Sequence, residues 1–261
     1  MTEKITSGQE KQIRRFMEDG VAKVDLANLP KDSAQRVIAQ GGVLQKRLAA
    51  LIAELALAYF ILLTDEEAHE WLRKFAGKNE ADAKRIVLGY RRGAQEEEIP
   101  DEESCHIQVV SGATLKGTIP TIGKCVQDFR YLKDWDFPGP PTTDCLFSLV
   151  PTLLRDSTRK TVAEQRALLA QVRQRLELPA NHLADFGAVT HLAGAALTHK
   201  AAGRDIFAGK IARTEVCGSG GSRLYLYWDQ GQLHCDYWNF DEEGYGALGV
   251  LACGVEQALG S

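Results

Sequence analysis

The apolar pattern of this chain changes its period near residue 210, from 3.6 to 2, and no other feature limits the fold as much. Upstream, hydrophobic residues recur at helical spacing. Downstream, Ile211–Cys217, Ser222–Trp228 and Leu233–Trp238 alternate and read as three strands. GSGGS and DQGQ supply the turns between them. A final helix is expected over 242–258, where small residues would let it lie close on the sheet. Helices first, then helices packed on a small antiparallel sheet near the C-terminus, make an α+β fold.

The last two strands carry the most informative side chains. With Gln230-Gly231 as a two-residue turn, Arg223 faces Trp238, Tyr225 faces Asp236 and Tyr227 faces His234. Alternation then puts Leu224, Leu226, Trp228, Leu233, Cys235 and Tyr237 on a core face. The opposite face holds Arg223, Tyr225, Tyr227, His234, Asp236 and Trp238. Flat aromatic area beside hydrogen-bonding groups suits a protein partner, a small polar ligand or a stacked base. The same residue types also serve a half-buried strand face with no ligand.

Helices are expected over 7–19, from Asp32 or Ser33 to the Gly41-Gly42 break, and from Val43 to about Leu63. Two adjacent glycines cost a helix interior roughly 2 kcal/mol. The run Leu48–Leu63 is apolar apart from Glu54, and its 16 residues fall short of the roughly 20 of a spanning helix. It reads as a buried central helix. Thr64 with Glu67 forms a capping box for a helix over 65–75, and a second helix follows over 80–90, closed by Gly93. Thr161 with Glu164 forms another box, opening a helix that Leu178-Pro179 stops. Asn181 caps the next, Leu183 to about Ala202, and the two helices are expected to pair antiparallel. Between these blocks, His106–Val110 reads as a short strand, Ile122–Leu132 has partial helical spacing, and Cys145–Leu154 is either a helix or strands around Pro151.

Charge marks a candidate boundary. Residues 1–94 carry 16 Lys/Arg against 13 Asp/Glu, whereas residues 95–104, QEEEIPDEES, hold six acids and no base. The expected organisation is a helical domain over 1–94, an acidic linker or loop over 95–104 and an α+β domain over 105–261. The short helix–turn–helix at 65–90 raises a DNA-binding alternative, with Lys84, Arg85, Arg91 and Arg92 as phosphate contacts. Arg91 and Arg92 equally complement a helix C-terminus.

Six cysteines at 105, 125, 145, 217, 235 and 253 match no metal-site spacing, and no metal or cofactor is expected. The N-terminal residues lack the apolar core of a secretory signal, so the expectation is a cytoplasmic, soluble protein with reduced thiols and no membrane segment. A catalytic Cys105 would need a distant base such as His191 or His199, because neighbouring His106 points to the other face of a strand. GSGG at 218–221 is a hairpin turn rather than a phosphate loop. GYGALG at 244–249 has dinucleotide-loop spacing but leaves no room for a returning parallel strand. The preferred reading is a binding or regulatory protein that recognises a protein or small polar ligand. The alternatives are a cysteine- or histidine-dependent hydrolase and a DNA-binding protein.

Overall fold

The computed structural model describes residues 59–115, 119, 141–217, 223–238 and 246–260. The helices expected over 7–19, 32–58 and 122–132 and the GSGG segment lie outside the described residues. Residues 58–261 form one compact unit and residues 1–57 another. The described elements run β1 (Phe60–Leu63), α1 (Asp65–Lys74), α2 (Glu80–Glu96), β2 (His106–Val109), β3 (Cys145–Leu149), α3 (Val162–Arg175), α4 (Val189–Ala201), β4 (Ile211–Cys217), β5 (Arg223–Asp229), β6 (Gln232–Trp238), β7 (Leu248–Gly249) and β8 (Cys253–Gln257). They make a mixed α+β fold with two small sheets, ordered β1-β2-β3-β8 and β6-β5-β4-β7.

The helix starts follow from local chemistry. Thr64 and Thr161 each accept from the backbone N–H three residues on, and Glu67 and Glu164 answer to the cap N–H. Asn79 caps α2 through the Asp82 N–H. Helix α2 buries Ala83, Ile86, Val87, Tyr90 and Ala94, one stripe at helical spacing. Gly93 does not end it. A Cβ at Gly93 would sit 2.9 Å from side-chain atoms of both Leu176 and Val150, so this glycine permits close packing and the helix runs on to Glu96.

Three sequence expectations give way to sheet pairing. The end of the apolar run is strand β1, not helix, antiparallel to β2 with Phe60 opposite Val109 and Leu63 opposite His106. A short apolar run has no period that separates buried helix from buried strand, and the available partner strand decides. Of the helix expected over 242–258, residues 242–245 lie outside the described residues, and the remainder holds two strands: β7 pairs parallel with β4, and β8 pairs antiparallel with β3. Gly249 and Gly254 weaken a helix there, and both lie where neighbours leave no room for a Cβ. Residues 181–187 form turns rather than the start of α4. Leu183, at φ 50°, donates its N–H to the Cys253 carbonyl, and α4 begins at Val189.

The first sheet has helices on one face and α4 on the other. Ile107, Val109, Cys145, Phe147 and Cys253 point into one cluster, together with α4 and the inner face of the second sheet. Leu63, Leu146, Tyr90, Leu169 and Val172 belong to the other cluster, with α1, α2 and α3. Helices α3 and α4 therefore serve opposite faces of the sheet, not the antiparallel pair expected. β3 is buried along its whole length, which explains a continuous apolar run where alternation fails. Helix α4 packs on β1 and also on β4, β5 and β6. Covered on nearly all sides, it reads apolar all round.

Candidate functional site

The hairpin β5–β6 has the register that the turn chemistry specifies. Arg223 lies opposite Trp238, Tyr225 opposite Asp236 and Tyr227 opposite His234. Gln230 and Gly231 have φ of 46° and 74°, the paired positive values of a type I′ turn, whose twist matches the flanking strands. Leu224, Leu226, Leu233 and Cys235 are buried in the core, and Trp228 packs partly against it. On the opposite face Tyr225, Tyr227, His234 and Asp236 are half-buried. The Tyr227 and His234 rings stack at 5.0 Å, and Tyr225 lies 6.0 Å from Tyr227. Arg213 joins the same row through its pairing with Tyr225, and it is buried.

The basic residues of α2 are mostly engaged within the protein. Arg91 grips Asp65 with two bonds of 2.9 Å and donates a third to the Glu103 carbonyl. Burial would lower its pKa, but the hydrogen bond to Asp65 dominates and raises it. Arg92 donates to the Leu176 carbonyl and reaches Glu177, and Arg85 pairs with Asp82. Lys84 is exposed.

Folding sorts the cysteines and histidines differently from the sequence guess. Cys105 is buried, its thiol 3.8 Å from the Tyr90 carbonyl, and burial pushes its pKa up to about 12. Neither His191 nor His199 is its partner. His191 instead stacks on Phe147 at 5.4 Å and places Nε2 3.7 Å from the Cys145 thiol. His199 is fully buried, and desolvation lowers its pKa to about 4. Cys105 lies just before β2, so strand alternation does not part it from His106, and both side chains sit on the α1/α2 side of the sheet near Tyr90 and Asp65. His106 Nδ1 lies 2.9 Å from the Ser148 hydroxyl and its Nε2 lies 3.8 Å from an Asp65 oxygen.

Ser148, His106 and Asp65 are the residue types of an acyl-transfer triad. Their placement does not serve that chemistry. Ser148 is 1% exposed, so no substrate carbonyl reaches it, and the Asp65 carboxylate is held by Arg91. A longer polar line runs beside it on the same sheet face. Burial pushes the Tyr90 pKa well above its ordinary value, so the phenol keeps its proton and donates to His182 Nδ1 at 2.9 Å. His182 Nε2 then donates to Glu256 at 2.9 Å, and Lys78 and Asn181 complete the carboxylate's partners. Gly254 makes the line possible, since a Cβ there would collide with His182 and the Tyr90 hydroxyl. Sequence reading missed this cluster because its members come from four separate segments, around Lys78, Tyr90, Asn181-His182 and Gly254–Glu256. The isolated glycine within a strand was the one local signal.

Two concavities lie near these groups, apart from a shallow one of about 600 Å³ along α3 by Gln171, Gln174 and Glu177. One, about 600 Å³, is lined by Asp65, Glu66, Asp101, Glu102 and Glu103 with Arg91. The other, about 260 Å³, lies between β3, β8, the start of α4 and Glu215 of β4. Among the described residues no group of three or more His, Cys, Asp or Glu side chains is placed to hold a metal, and no helix is long and apolar enough to cross a membrane. No family model, curated protein or solved structure matches the chain.

Proposed function

We propose that this is a binding or regulatory protein that recognises a partner through the polar aromatic face of β5–β6. The observation that carries this reading is the stacked Tyr227–His234 pair, flanked by Tyr225 and Asp236, half-exposed on a hairpin whose other face is anchored in the core. Rigid aromatic rings give contact area at little entropic cost, and an adjacent carboxylate selects a donor. A planar group that donates hydrogen bonds, such as an arginine side chain of a protein partner, fits both. The hydrolase alternative has less support: Cys105, Cys145, Cys235 and Cys253 are all buried, and desolvation raises each of their pKa values. The DNA alternative also has less support, because Arg85, Arg91 and Arg92 are each bonded to the protein's own acceptors, and of the four candidates Lys84 is the one left.

The test is an NMR titration of the Tyr225, Tyr227 and His234 ring resonances with a short arginine-containing peptide, its lysine counterpart and a single-stranded oligonucleotide. The arginine peptide is expected to shift these rings, and Tyr227→Ala or Asp236→Asn to abolish the shift. Unmoved resonances with the arginine peptide, or a stronger response to the oligonucleotide, would refute this reading.

A further inference from the structure

The first sheet ends on β8, and the pairing with β3 decides where the backbone groups of β8 point. Val150 donates to the Ala252 carbonyl and Ala258 to the Asp144 carbonyl, each at 2.9 Å. In an antiparallel pair such bonds recur at every second residue, so Ala252, Gly254, Glu256 and Ala258 turn N–H and C=O towards β3. Cys253, Val255 and Gln257 turn theirs the other way, to the outer edge. Two contacts agree with that alternation. The Cys253 carbonyl accepts from Leu183 at 3.0 Å, and Leu259, next in the same series, donates to the Phe75 carbonyl at 2.7 Å. The protein's own backbone thus closes the edge at both ends. Between them, the outward N–H and C=O groups of Val255 and Gln257 have no backbone partner among the described residues. Val255 is half-buried and Gln257 is exposed.

The cavity of about 260 Å³ lies beside this short window. Val255 and Gln257 line it, and Phe147, Leu183 and Phe186 add apolar surface. Its volume is just below the roughly 300 Å³ at which pockets for drug-sized ligands begin, which suits a single side chain. In an added strand, the residue paired with Val255 points its side chain to the face that Val255 uses, and so into this cavity. Residues two positions away share that face. Among the described residues lining the cavity, the charged side chains are Asp185 and Glu215. Arg166 offsets Asp185 through bonds of 3.0 and 2.6 Å. Glu215 is exposed, and its field adds to the rise that burial chiefly imposes on the Cys253 thiol. A basic side chain on the incoming segment complements that field.

A second copy of this chain fits the edge poorly. Two β8 strands related by a two-fold axis use both open residues only when Val255 pairs with the other copy's Gln257. That register sets each Glu256 against its counterpart in the non-hydrogen-bonded position, where side chains lie closest and like charges repel. Other registers that use the outward groups meet a position already closed by Leu183 or Phe75.

We propose that the open edge of β8 binds an extended segment of a protein partner by strand addition. An apolar side chain of that segment fills the cavity, and a basic residue lies two positions from it. Main-chain bonds to Val255 and Gln257 hold the segment, and the cavity selects its sequence. Tyr225, Tyr227, His234 and Asp236 do not line this cavity, so the edge is separate from the hairpin face.

The experiment is an NMR titration of the full chain with the pentapeptide acetyl-Lys-Thr-Leu-Thr-Lys-amide. Saturable binding is expected, with the Val255 and Gln257 amides shifted and their exchange with solvent slowed. N-methylation of the leucine removes the donor to the Val255 carbonyl and should weaken binding tenfold or more. Alanine in place of leucine should do the same, and glutamate in place of both lysines should weaken binding at least threefold. Val255→Pro removes the outward N–H alone, a change an edge strand tolerates, and should also cost at least tenfold. If that variant unfolds, the N-methylated peptide decides on the unaltered protein. The proposal is overturned if the pentapeptide does not bind, if the N-methylated form binds as tightly, or if the Val255 and Gln257 amides stay unmoved. Protection of both amides in peptide-free protein that sediments as a dimer would give the edge to a second copy and would overturn it too. These readouts are β8 amides, so they are independent of the hairpin rings that the arginine titration follows.

Discussion

Replacing Glu256 by Gln should cost the protein about 3 kcal/mol at neutral pH and remove one segment of its acid response. Glu256 is 6% exposed. Burial alone would raise its pKa, but hydrogen bonds from His182, Lys78 and Asn181 more than reverse that and hold it at about 2, against an ordinary 4.5. A gap of about 2.5 pH units at about 1.36 kcal/mol each is about 3 kcal/mol. The folded value is the lower one, so this stabilisation is fully present above pH 4.5. It is lost as pH falls towards about 2. The buried histidines act in a different window. His106, His191 and His199 are lowered from 6.5 to about 4 by desolvation, so their destabilising protonation sets in below pH 6.5. Urea unfolding curves collected from about pH 7 down to about pH 2 separate the two. Wild type should lose stability in both windows. Glu256→Gln should start lower, keep the upper slope and flatten in the lower window. Parallel wild-type and mutant curves below pH 4.5 would show that the carboxylate is not held by these partners, and the argument would fail.

Further outcomes follow from packing and capping. Gly194→Ala should destabilise by about 1–3 kcal/mol, because the new methyl would overlap the Phe60 ring. Phe60→Leu should recover part of that loss in a double-mutant cycle, and simple additivity would contradict the contact. Thr64→Ala and Thr161→Ala should each cost about 1 kcal/mol in urea midpoint, and the two losses should add, since they cap separate helices. In native protein at neutral pH, mass spectrometry after brief alkylation should find Cys105, Cys145, Cys235 and Cys253 unmodified, and urea should expose all four; native labelling of any of them would contradict its burial.

The legible parts of the fold are those written within about ten residues. Thr64 and Thr161 announce their helices because cap and box partner lie three positions apart. Gln230-Gly231 fixes the β5–β6 register because a two-residue loop admits one pairing, and that pairing places the Tyr225, Tyr227, His234 and Asp236 face. The strands that could not be read, β1, β7 and β8, are short, apolar and interrupted by glycine or joined to helix-like runs. Their state depends on a distant partner: Phe60 needs Val109, Cys253 needs Leu149. Gly93 shows the same limit. Its sequence context reads as a stop, whereas its function is to admit Leu176 and Val150.

The sequence by itself determined an α+β composition, the starts of α1, α2 and α3 and the register of the C-terminal hairpin, because caps, turns and period-2 alternation are local physics. Tertiary structure alone decided that the last segment is strand and that α4 lies between two sheets. It also brought Cys145 to His191, and Tyr90, His182 and Glu256 into one line. Those pairs are 46, 92 and 74 positions apart, and no spacing rule in one dimension predicts which buried groups three dimensions will make neighbours.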